Sequence, residues 1–127
     1  GRVAWVLRQA DERGFDPGRP EDADLSLLTH PAERVLLRAM SSLPHVVADA
    51  AEARATQRLT RYAEELAGTF HRFYAECRVL DDDPDADEAT RAAMAASSRA
   101  RYWLVTAAKQ VLANALVILR VSAPDRM

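Results

Sequence analysis

Leu59-Thr-Arg-Tyr62-Ala-Glu-Glu-Leu66-Ala-Gly-Thr-Phe70-His-Arg-Phe73-Tyr74-Ala-Glu-Cys77-Arg78-Val79 holds two of the chain's three Phe and two of its three Tyr. Its apolar positions, Leu59, Ala63, Leu66, Ala67, Phe70, Phe73, Tyr74 and Cys77, follow one another in steps of 4, 3, 1, 3, 3, 1 and 3. That is the period of an amphipathic helix, not of a strand. Arg58, Arg61, Glu65 and Arg72 occupy the opposite face. A helix with so much aromatic area is expected at the centre of a bundle. Thr56 suits its N-cap, because a threonine hydroxyl can accept from an early backbone N–H.

On either side the same period recurs. Val3, Val6, Leu7 and Ala10 share a face of a first helix over residues 2–13, and Gly14 is its expected stop. Pro17, Gly18 and Pro20 mark residues 14–25 as a loop. His30-Pro31-Ala32-Glu33 reads as a helix start, with Pro31 first in the helix and Glu33 reaching back to the free donors. Val35, Leu36, Ala39 and Met40 are its buried stripe. Pro44 opens a short helix with Val46, Val47, Ala50 and Ala51 inward. After the central stretch, residues 81–88 hold six acids in eight positions and read as a mobile, solvated connector. The last of these acids complement the next helix dipole. From Glu88 to about Leu119 the pattern is helical again, with Ala100, Trp103, Leu104, Ala107, Val111, Ala115 and Ile118 inward and Ser97-Ser98 its weakest point. No segment alternates with a period of two. The expected fold is all-α, a bundle of about five helices, formed as a single domain over residues 1–127.

Composition narrows the function classes. A chain of 127 residues that is 49% hydrophobic can bury an ordinary core. No run approaches the ~18 uninterrupted apolar residues of a membrane span, so no membrane partner is expected. The chain begins at Gly1 rather than Met, which reads as a processed product or a piece of a longer protein. Cys77 has no second cysteine to pair with and lies on the apolar face, as a small core residue does. Sixteen of the seventeen cations are Arg. Arginine suits bidentate phosphate contacts and stacking on bases, although a GC-rich genome produces the same bias.

No catalytic constellation is present. A di-iron bundle needs Glu-x-x-His pairs, but Leu27, Ser42 and Gly68 stand three residues before His30, His45 and His71. A zinc site would need Cys and His together, yet His71 and Cys77 are six apart, about 240° around a helix. Nucleophile elbows, P-loops and dinucleotide fingerprints are missing. Binding remains. Tyr74 and Arg78, four apart, would neighbour each other along one side of the central helix. An aromatic face beside a guanidinium can stack an unpaired RNA base and hold its phosphate. Spacing alone favours the plainer alternative, a core tyrosine followed by a solvated cation at a helix C-terminus.

Tyr62-x-x-Glu65-Leu66-Ala67-x-x-Phe70-His71-x-Phe73-Tyr74-x-x-Cys77-Arg78-Val79 resembles the central segment of the C-terminal anticodon-binding domain of arginyl-tRNA synthetases, a class I family. Further segments agree in the same order. Arg2-Val3-x-x-Val6-Leu7-Arg8 resembles that domain's first helix. Pro31-x-Glu33-x-x-Leu36-Leu37-Arg38 with Leu43-Pro44-x-Val46-Val47 resembles the next part. Gln110-Val111-Leu112-x-Asn114 and Ser122-Ala123-Pro124-Asp125-Arg126-Met127 resemble its last helix and tail. The resemblance implies a cytoplasmic, monomeric, non-catalytic module that grips the anticodon loop of tRNA(Arg). It implies as second partner a catalytic domain of the same protein, which would carry ATP and Mg and leave this domain without a cofactor. By motif match, Arg2 and Arg8 would contact the tRNA, Tyr74 and Arg78 would line a base pocket, and Met127 would complete it.

Some positions depart from the family pattern. Ala115 and Arg120 stand where glycine is usual, Trp5 where a small residue, commonly serine, is usual. The tyrosines that extend the family's first helix would precede Gly1, and the Asp-Ala-Leu-Arg stretch behind the domain's nickname is absent. These departures leave a second expectation: a free-standing paralogue that kept the fold and binds protein instead of tRNA.

Overall fold

The computed structural model describes residues 2–122, and the surroundings of side chains from residue 3 to residue 121. Five α-helices follow in order: α1 (Arg2–Glu12), α2 (Pro31–Ser41), α3 (Leu43–Ala53), α4 (Gln57–Glu76) and α5 (Glu88–Ser122). Two single 3₁₀ turns, Pro20–Asp22 and Leu25–Leu27, shape the loop between α1 and α2. No strand occurs among the described residues.

Helix ends lie where local chemistry places them. Gly14, at φ 67°, closes α1. Its N–H donates to the Asp11 carbonyl at 3.0 Å, and that of Phe15 donates to Ala10 at 2.9 Å, a Schellman closure that needs the left-handed conformation. At the start of α2, the Ala32 N–H donates to His30 Nδ1 at 3.0 Å and the His30 N–H to Glu33 Oε1 at 2.9 Å. Asp87 caps α5 by accepting from the Thr90 N–H at 2.8 Å, so the end of the acidic run does serve the helix it precedes. The Thr56 expectation fails. Thr56 has helical angles, φ −61° and ψ −24°, and its side chain caps nothing. A capping side chain needs the extended backbone that points its oxygen at the helix. Here the chain enters α4 directly from left-handed Arg54, φ 52°.

α4 lies at the centre, packed against α2, α3 and α5, while α1 packs on α5. Leu36, Leu66, Phe73 and Val105 are fully buried, each contributing roughly 1.5–3 kcal/mol by leaving water. The buried stripe of α4 is Leu59, Tyr62, Leu66, Phe70 and Phe73. Tyr62 thus belongs inside, its hydroxyl donating to the Ala39 carbonyl of α2, and Ala67 is exposed. Ala51 of α3 is also exposed.

α5 departs most from its expected stripe. Val105 and Ala108 are buried beside Ala100, Leu104 and Ala115, whereas Ala107 is exposed. This helix meets α1, α2, α4 and the second 3₁₀ turn at different heights, so its buried face rotates along its length. It runs unbroken through Ser97-Ser98. By length and composition alone it is apolar enough to cross a membrane, with a mean hydropathy of 1.5 in its most apolar window. Its inner residues are used in the bundle, while Leu116, Val117 and Val121 near its end are exposed.

Candidate functional site

The aromatic residues of α4 form a path from core to surface. Phe73 is fully buried, and Phe70 packs on it with ring centroids 6.0 Å apart. Tyr74 stacks on Phe70 at 6.5 Å and an interplanar angle of 25°. Trp5, from α1, then meets Tyr74 edge-on at 6.4 Å and 82°. Tyr74 is half-buried and Trp5 is 46% exposed. α1 therefore presents Trp5 to the end of α4 while Val6 and Ala10, on its other side, enter the core.

α4 stops at Glu76. Cys77 is extended, φ −125° and ψ 132°, and its N–H makes a last bond to the Phe73 carbonyl at 2.8 Å. The expected helical adjacency of Tyr74 and Arg78 is therefore corrected, because Arg78 lies beyond the helix in extended backbone. Alternation along that backbone buries Cys77 and Val79 and turns Arg78 outward. Tyr74 and Arg78 nevertheless line one cleft of about 1320 Å³ together with Trp5 of α1, Arg13 just past its end and Arg91 of α5. Tertiary placement unites what helical spacing had seemed to unite.

The backbone at Arg78 is held from below. Arg101 of α5 donates through Nη1 to the Arg78 carbonyl at 2.6 Å and through Nε to Glu33 Oε2 at 2.8 Å. Glu33 is 1% exposed, and its second oxygen accepts from His30 as described. One buried carboxylate thus joins the start of α2, the middle of α5 and the rim of the cleft. The acidic connector is tethered as well. The Asp81 N–H donates to Ser98 Oγ at 2.9 Å, and Arg91 grips Asp82 through two bonds of 3.1 and 2.9 Å. That grip holds the Asp82 carboxyl below the usual carboxylate range. Ser98, at the expected weak point of α5, instead fastens the connector.

Arg78 keeps an exposed side chain, 3.8 Å from Asp81. Arg8 is exposed on α1 three residues beyond Trp5 and does not line the cleft. Met127 lies outside the described residues, as does the side chain of Arg2. Burial, reinforced by the nearby charge of Glu33, pushes the Cys77 thiol up in pKa, away from the thiolate a nucleophile requires. Among the described residues no three His, Cys, Asp or Glu side chains gather as a metal would require. The cleft offers stacking surface, guanidinium groups and carboxylate acceptors.

Sequence reasoning did not select Trp5 as a site residue. Its signal lay in the pattern: it stands off the Val3-Val6-Leu7-Ala10 stripe, so a large aromatic had to face outward. Arg101 gave no such signal, since its partners are 68 and 23 residues away.

The model of the DALR anticodon binding domain matches residues 1–127. The arginine–tRNA ligase of Frankia alni is 47% identical over 126 residues, covering 99% of this chain and 21% of the relative. That of Symbiobacterium thermophilum is 42% identical over 126 residues, again 99% of this chain and 21% of the relative. That of Clavibacter sepedonicus is 48% identical over 128 residues with the same coverage. The chain thus spans about a fifth of the length of these curated relatives. No solved structure gives a significant match.

Proposed function

This chain belongs to the DALR anticodon binding domain family, and on that premise we propose that it binds the anticodon loop of tRNA(Arg) as the non-catalytic part of an arginine–tRNA ligase. The observation that carries the proposal is the meeting of Tyr74 and Arg78 on one cleft. Unpaired loop bases can be splayed out and stacked on aromatic rings while arginines hold the adjoining phosphates. Tyr74 takes a base, Arg78 reaches the phosphate beside it, and Arg2 and Arg8 approach the loop backbone from α1, with Met127 closing the pocket. Adenylation of arginine, with its ATP and Mg²⁺, belongs to a catalytic domain of the same protein, and the whole works as a cytoplasmic monomer.

Two of the altered positions that favoured a protein-binding paralogue sit without conflict. Ala115 is fully buried in the core and Arg120 is exposed on α5.

The test is affinity for a synthetic tRNA(Arg) anticodon stem–loop against one of unrelated sequence. Tyr74→Ala should weaken binding by roughly 1–3 kcal/mol, the worth of one stacked base. Unchanged affinity in a folded Tyr74→Ala protein removes Tyr74 from the pocket. Equal affinity for both stem–loops removes the reading itself.

A further inference from the structure

We propose that Trp5 is a second base-stacking residue of the cleft, so that two loop bases are held there, one on Tyr74 and one on Trp5. The inference rests on the anticodon-loop reading and extends it to a residue at which this chain departs from the resemblance pattern.

Three observations carry it. Trp5 is 46% exposed although it is the largest side chain on α1. The large rings of Phe70 and Phe73 on α4 are buried by contrast. Second, its edge contact with Tyr74, 82° between planes, fixes the ring while leaving indole surface open. A ring already oriented loses little freedom when a base stacks on it. Third, part of the positive charge at the cleft is answered by the protein's own acids. Arg91 is engaged by Asp82 through two bonds and Arg78 lies 3.8 Å from Asp81. Arg91 is thus less available to a phosphate than the exposed Arg78, and flat apolar contact adds to what Arg78 supplies. Base–aromatic stacking provides such contact, since every base has a π-face.

The experiment measures binding of the tRNA(Arg) anticodon stem–loop at several salt concentrations for the unaltered chain, Trp5→Ala, Trp5→Phe and Tyr74→Ala. Trp5→Ala should bind roughly 5- to 150-fold more weakly, the loss of one stacked base. The slope of log affinity against log salt should stay unchanged, because no phosphate contact is removed. Trp5→Phe should retain most of the affinity. Intrinsic fluorescence gives an independent readout. The other tryptophan, Trp103, is half-buried and donates to the Pro17 carbonyl at 3.0 Å, away from the cleft lining. The stem–loop should therefore quench the unaltered chain and leave Trp5→Phe unquenched.

Full affinity in Trp5→Ala alongside weakened Tyr74→Ala overturns the role of Trp5 and leaves the anticodon-loop reading intact. No preference of the unaltered chain for the tRNA(Arg) loop overturns both. If Trp5→Ala does not fold, the fluorescence decides: saturating stem–loop without quenching of the unaltered chain overturns the proposal.

Discussion

Glu33 shows how one side chain can be read locally and still be half understood. Its place three residues after His30 announces a capping role, and one carboxylate oxygen fulfils it. The other oxygen holds Arg101 at 2.8 Å, and that guanidinium holds the Arg78 carbonyl. Removing one member of a buried pair leaves the other charge without compensation, which costs far more than the pair itself contributes. Arg101→Met should therefore lower stability by about 3–5 kcal/mol, read as a shift in the urea midpoint. It should also loosen the segment at Arg78, seen as faster amide exchange there than in α3. A shift below about 1 kcal/mol would mean that water replaces the guanidinium and that the rim is held by other contacts.

α4 and α1 owe their lengths to different devices, and their glycines separate them. Gly68 lies in the middle of α4 on its exposed side, with nothing within 4 Å of an added Cβ. Gly68→Ala should stabilise the protein by about 0.5–1 kcal/mol, since alanine loses less backbone entropy in a helix. Gly14 also has open space around it but sits at φ 67°. Gly14→Ala should destabilise by roughly 1–2 kcal/mol, because an L side chain clashes with its own backbone there. Thermal melts of the two variants should move in opposite directions. Movement in the same direction would show that packing, not backbone preference, governs these sites. The end of α4 has another cause. No glycine or proline stops it at Glu76. It ends where extended backbone buries both Cys77 and Val79, which a continuing helix would point to different sides. Helical periodicity carried Arg78 onto α4 because the stop is a tertiary preference and not a local signal.

The five helices share a single core, and Phe73 is fully buried within it. Phe73→Ala should cost about 3–5 kcal/mol, a large part of the roughly 5–15 kcal/mol that stabilises an ordinary domain. Circular dichroism and tryptophan fluorescence should then report one earlier transition together; separate transitions would show that α1 and α5 fold apart from the rest. Much of this architecture was legible in the chain. Spacing of apolar residues placed five helices, because a helix must repeat its buried side every 3.6 residues whatever it packs on. The closures at Gly14 and His30 were legible because they involve neighbours in sequence. Motif order identified the family. The face that α5 buries, the end of α4, the tether of the connector and the cleft were decided by contacts between residues far apart in the chain. Tyr74 illustrates both sides: the sequence alone marked it as an aromatic beside a future arginine. Only the packing of α1 against α5, which sets Trp5 on its edge, and the hold of Arg101 on Arg78 made the two residues walls of one cleft. Local spacing is a property of covalent geometry, whereas a cleft is a relation between elements that exists only once the core has fixed their positions.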